Sequence, residues 1–131
     1  MSTQQLAFYQ RKLEYEMDSA DLCEALEKGE PVVVVDGRSA DAHAREHIPG
    51  SISLPHREIS PDSTESLDRS KLHVCYCDGI GCNASTKTAL KLLTLGFQVR
   101  ELIGGLDWWK RDGHATHGEE ALATTGVRCS C

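Results

Sequence analysis

KLHVCYCDGIGCNASTKTALKLLTLGF, residues 71–97, reads as a strand, a glycine-rich loop carrying two cysteines, and a helix. Leu72 to Tyr76 is a short apolar run of the kind buried inside a sheet. Ser85 to Leu95 has Ala89, Leu92, Leu93 and Leu95 at helical spacing, and Gly96 supplies a left-handed C-terminal residue. A cysteine that leaves a strand and faces the start of a helix meets unpaired backbone N–H groups and the positive end of the helix dipole, which favour its thiolate. Gly79 and Gly81 open backbone conformations closed to other residues, so that successive N–H groups can converge on a thiolate, a persulfide or a bound oxyanion.

Upstream, PVVVVDGRS (31–39) places four valines in a row, a strand buried on both faces, with Asp36 where it runs out. SADAHAREH (39–47) fits a short helix capped by Ser39, and IPGSISLP (48–55) a turn, a strand around Ser51 to Leu54 and a proline stop. The polar stretch from His56 to Ser70 reads as a surface connection with a helical turn near Ser66 to Ser70. Residues 3–13 form an amphipathic helix whose Leu6, Ala7, Phe8 and Leu13 are expected to pack on the body, and an extended piece at Tyr15 to Met17 follows. Asp18 or Ser19 caps a second helix, which Gly29 ends. Downstream, Val99 to Ile103 is a further strand, and Asp107 to Arg111 begins a helix with Trp109 expected in the core and Trp108 nearer the surface. Strands alternating with helices imply an α/β fold with a parallel sheet covered on both faces. Sites in such sheets form beyond the carboxyl ends of the strands, where the Cys77 loop lies.

At 131 residues the chain suits one domain with a real core. A net charge of −6 without a Lys/Arg cluster excludes a nucleic-acid footprint. With no apolar run long enough to span a membrane and an N-terminus too polar for a secretory signal, a cytoplasmic location is expected. In a reducing compartment the clustered cysteines point to catalysis or metal rather than to a disulfide framework. Cys23, alone in a helical pattern, reads as a small buried hydrophobe.

Two chemistries are disfavoured by spacing. Structural zinc wants cysteine pairs two to four residues apart on a knuckle, whereas Cys75 and Cys77 flank one residue in a buried strand; no metal and no cofactor is expected. A phosphatase-like loop needs an arginine six residues after its cysteine to clamp a dianion; Asn83 and Thr88 stand there, and Asp78 would repel one. Cys75 belongs to the core, and His73 is too far from the loop to serve as its base.

Three motifs together resemble the rhodanese-like domain family: VVVVDGRSADAHAREHIPGSISLP, CYCDGIGCNASTKTALKLLTLGF and ELIGGLDWW, in that order over residues 14–113. The resemblance implies a five-stranded, mostly parallel sheet with helices on both faces, and a sulfurtransferase that carries sulfane sulfur as a cysteine persulfide. Residues 1–13 are then an N-terminal helical extension, and 114–131 a tail; its terminal Cys129-Ser130-Cys131 lies outside the resemblance and is expected either to accept the sulfur or resolve the persulfide, or to be incidental. Relative to the family pattern the loop is two residues longer, lacks arginine and holds a second cysteine, like a subgroup with a Cys-x-Gly-x-x-Cys-Asn loop.

Strand geometry favours Cys77 as the persulfide carrier, with Cys82 as its rival and a disulfide between them under oxidation. Asp78, Gly79, Ile80, Gly81, Asn83, Ala84 and Ser85 form the cradle. Lys87 is the expected nearby cation. Asp36, Arg38 and His47 match fold-holding positions. The partners expected are a small sulfur donor or persulfide, in preference to thiosulfate, and a thiol acceptor, small or protein. A catalytically quiet binding or redox-sensing module of the same fold is the competing reading.

Overall fold

A computed structural model describes residues 2–121. Helix α1 spans Thr3–Tyr15, strand β1 Glu16–Met17, α2 Ser19–Glu27, β2 Val32–Asp36, α3 Ala40–Arg45, β3 Ile52–Ser53, β4 Leu72–Tyr76, α4 Ala84–Thr94, β5 Gln98–Leu102 and α5 Gly105–Arg111. The five strands form one sheet in the order β1-β5-β4-β2-β3, with every neighbouring pair parallel. The expected α/β sheet is therefore present, with β4 at its centre.

Each face of the sheet has its own core. Leu22, Val34, Val74, Tyr76, Leu102 and Trp109 pack under α2 and α5. Val35, Cys75, Leu92 and Phe97 pack under α4. Alternate residues of β2 and β4 feed the two cores, which is why both strands read as continuous apolar runs. Full burial of each such side chain contributes about 1.5–3 kcal/mol. Trp109 is in the core and Trp108 is exposed, as expected. Local signals hold as well: Asp18 and Asp21 form a capping box at α2, Ser39 caps α3, and Gly96 closes α4 with φ +91°.

Three expectations are corrected. No residue of α1 is buried; Leu6, Phe8 and Leu13 remain exposed. Helical periodicity reports an apolar side, not whether the fold supplies a cover for it, and α1 leads only into the two-residue edge strand β1. In the polar connection, the helical turn is a 3-10 turn at His56–Glu58, just after Pro55, rather than at Ser66 to Ser70. The segment assigned to a tail from residue 114 packs on the body at its start. The Trp109 indole N–H donates to Ala115 O at 2.9 Å, the Thr116 hydroxyl donates to Glu46 Oε2 at 2.7 Å, and His47 and His117 form an antiparallel bridge. Cys129 and Cys131 lie outside the described residues.

The chain runs outward from β2 to β3, returns to β4 at the centre and then runs the other way to β5. The loops after β2 and β4 thus diverge, opening a crevice at the carboxyl ends of these two strands.

Candidate functional site

That crevice is a cleft of about 550 Å³ whose walls include Arg38 and Arg45, His56 and Arg57, and Cys77, Asp78, Cys82 and Ala84. A larger groove, about 640 Å³, runs along Tyr15, Leu90, Leu93 and Val99 and has no cysteine in its lining.

Cys77 follows the last residue of β4, and its side chain is buried, 2% exposed. Two backbone hydrogen bonds pin this end of the strand to the start of α5: Leu106 N–H donates to Cys77 O at 2.9 Å and Asp107 N–H to Asp78 O at 2.8 Å. The approach requires Gly105, where φ is +56° and a Cβ would collide with Cys77 O. Gly37 has a matching role across the crevice. Its N–H donates to Tyr76 O at 3.1 Å, and a Cβ there would strike the Thr88 side chain near the start of α4.

The loop turns back on itself, with Cys82 N–H donating to Gly79 O at 3.2 Å. Cys77 and Cys82 are joined as a disulfide with their Cα atoms 6.1 Å apart. The expected pairing of these two cysteines is thus present. Cys82 is the more accessible of the two. Helix α4 begins at Ala84, one residue before the expected Ser85, and Asn83 makes no side-chain cap bond, so the first-turn amides of α4 keep their capacity for an anion on the loop.

Other cradle residues separate. Gly79 packs beside Asp107 and Gly104, and Ile80 projects outward at 83% exposure. Gly81 and Asn83 are exposed. The Ser85 hydroxyl donates to Glu101 Oε2 on β5 at 3.2 Å and so is engaged away from the cleft. Lys87 is exposed one turn into α4, and its charge acts on His56, whose pKa is lowered by burial first and then by Lys87, Lys91 and Arg57.

The residue whose role the sequence understates is Arg38. Its guanidinium donates to both oxygens of the buried Asp36, at 3.0 and 2.7 Å, to Glu46 O at 2.6 Å, and across the crevice to Asp78 Oδ1 at 3.0 Å. Burial opposes the charge on Arg38, but the Asp36 and Asp78 carboxylates outweigh it and raise its pKa. Burial would likewise raise the pKa of Asp36, yet hydrogen bonds from Arg38 lower it, and the His43 Nδ1–H and Tyr76 hydroxyl, each 3.0 Å from Oδ2, complete its shell. Asp-x-Arg therefore holds the fold, as expected, and also brings to the cysteine loop the cation that the loop lacks. Its clue was the pair of strand ends: Arg38 stands two residues past β2 and Asp78 two past β4, on neighbouring strands.

Cys75 has the opposite character: it is fully buried in β4, and burial, then Glu101, pushes its thiol up to about 12. As a set of metal-ligand types, Cys77, Asp78 and Cys82 lie close enough together for one ion, but the cysteines are bonded to each other here, and Asp78 is engaged by Arg38.

The Rhodanese-like domain family model matches residues 18–112. The structure of the BH2092 protein from Bacillus halodurans superposes with a TM-score of 0.87 at 41% identity, covering 90% of this chain and 87% of that one. The rhodanese-like domain of Alr3790 from Anabaena gives a TM-score of 0.73 at 29% identity over 82% of this chain and 81% of its own. Among curated proteins, the HTH-type transcriptional regulator Rv0324 of Mycobacterium tuberculosis is 31% identical over 94 residues, which are 72% of this chain and 41% of that protein. With the family model matched over residues 18–112 and a solved rhodanese-like domain superposing on the fold, this chain belongs to the rhodanese-like domain family.

Proposed function

We propose that the chain is a sulfurtransferase in which Cys77 carries the transferred sulfur. The observation that supports this most is the placement of the Cys77 sulfur at the carboxyl end of the central strand, under a cleft with three arginines in its walls. In the reduced protein, the Cys77 thiolate attacks the outer sulfur of an anionic persulfide. The donor S–S bond breaks, its thiolate leaves, and Cys77 holds the sulfur as a persulfide. An acceptor thiolate then attacks the terminal sulfur and regenerates Cys77. Arg45 and Arg57 are placed to attract the anionic donor, while Arg38 offsets the charge of Asp78 beside the nucleophile.

The test is to reduce the protein, add a low-molecular-weight persulfide or thiosulfate, and follow intact mass in Cys77→Ser and Cys82→Ser. A gain of one sulfur in Cys82→Ser and none in Cys77→Ser is the expected result. No gain with any donor would sink the reading in favour of a second one, a redox-sensing module. That reading draws on the similarity to a transcriptional regulator and on the Cys77–Cys82 disulfide.

A further inference from the structure

We infer that Cys82 discharges the Cys77 persulfide from within the chain, so that the protein also releases sulfane sulfur as sulfide and draws its electrons from an external dithiol. This activity rests on the sulfurtransferase reading and adds an outlet to it.

Three observations carry the inference. The fold brings the two sulfurs to bonding distance across only four intervening residues, with the Cys82 N–H to Gly79 O bond closing the turn. Cys77 is 2% exposed with Cys82 bonded to it, so Cys82 is the thiol already seated at the Cys77 sulfur while an external acceptor still has to enter the cleft. Cys82 is more accessible and lines the cleft.

The Cys82 thiolate attacks Cys77 Sγ, the bond from Sγ to the terminal sulfur breaks, and hydrosulfide leaves. The sulfane sulfur is reduced by two electrons, and two cysteine thiols are oxidised to the disulfide. An external thiolate then attacks Cys82 Sγ, the exposed side of the disulfide, and Cys77 leaves as a thiolate. A monothiol bound at Cys82 is expelled again by the neighbouring Cys77, whose effective concentration is high. A dithiol escapes this return because its own second thiol closes its ring, leaving both cysteines reduced.

The experiment uses reduced, desalted full chain, wild type and Cys82→Ser, with one equivalent of glutathione persulfide. The expected wild-type result is stoichiometric sulfide and the mass loss of two hydrogens, while Cys82→Ser keeps one added sulfur and releases no sulfide. If wild type retains the sulfur as Cys82→Ser does, internal discharge is overturned and the transferase reading stands. If Cys82→Ser gains no sulfur, both fall together. Under turnover with excess donor, dithiothreitol should support sulfide release at least about tenfold faster than glutathione at equal thiol concentration. Equal rates would overturn the dithiol step. Peptide mapping after limiting glutathione places the mixed disulfide on Cys82; finding it on Cys77 reverses the order of attack.

Discussion

Arg38 Nη1 donates to Asp78 Oδ1 at 3.0 Å, tying the loop after β2 to the first residue beyond Cys77. The two ends of this bond differ: the Arg38 side chain is 8% exposed and that of Asp78 72%. Arg38 is held by the core, and Asp78 is the movable end.

Asp78→Asn should therefore change chemistry more than stability. An exposed ion pair contributes at most about 1 kcal/mol, so denaturant midpoints should barely move. Removing the carboxylate leaves Arg38 as the charge beside Cys77 and favours its thiolate, so persulfide loading at neutral pH should speed up several-fold. Slower loading at unchanged stability would show that Asp78 orients the loop instead. Arg38→Ala tests the other end. It strips Asp36 of its cation in a fully buried setting, and a loss of about 3–5 kcal/mol is expected by denaturant titration.

Gly105→Ala addresses how Cys77 is positioned. At φ +56° the added Cβ is strained, and it meets Cys77 O, a backbone atom that cannot step aside cheaply. A stability loss of roughly 1–3 kcal/mol is expected, together with reduced loading of Cys77 by mass spectrometry. Full loading in a folded Gly105→Ala protein would mean that α5 does not set the nucleophile.

These positions also mark where sequence sufficed. The valine run and Leu72–Tyr76 were legible because a strand buried on both faces leaves an uninterrupted apolar record, and the Cys77 loop because glycines and cysteines are costly to place by chance. Arg38 was legible as a structural residue only. Its bond to Asp78 depends on which strands are neighbours, and β2 and β4 become neighbours only because β3 goes to the sheet edge. Ser85 lies on the side of α4 that faces β5, where its hydroxyl meets Glu101, a partner set by the packing of helix on sheet and not by the local sequence. The docking of residues 114–120 left no apolar pattern, since it is carried by Ala115 O, Thr116 and His117.

Alkylation should separate Cys75 of the strand from Cys82 of the loop. With its thiol pushed up to about 12 by burial, Cys75 has almost no thiolate at pH 8 and no path to solvent. In the native reduced protein it should react with iodoacetamide at least about a hundredfold more slowly than Cys82, and react normally once unfolded. Comparable native rates, read by peptide mass spectrometry, would place Cys75 at the surface.

His73 should contribute to the first step of acid destabilisation, together with His56, whose pKa is also lowered. Its ring is fully buried against Phe97, centroids 4.8 Å apart; Nδ1 pairs with Lys71 O, and Nε2 has no hydrogen-bond partner among the described residues. Burial lowers its pKa from 6.5, so the folded protein resists a proton that the unfolded chain accepts. Stability is then unaffected well above pH 6.5 and falls as pH drops below it, until the folded imidazole also protonates. Asp36 acts in a lower window. Its folded pKa lies below 3.8, so its contribution persists above that value and is lost only as pH falls through the lowered one. Denaturant midpoints measured from pH 8 to 5 should decline in wild type and decline less in His73→Phe, whatever the substitution does to stability at pH 8; the remaining slope belongs to His56, whose pKa is also lowered. The same slope in both proteins would assign the decline to another group. A shallower His73→Phe profile that steepens only below pH 4 would separate the imidazole from the Asp36–Arg38 pair, and with it the acid response of the sheet from that of the cleft.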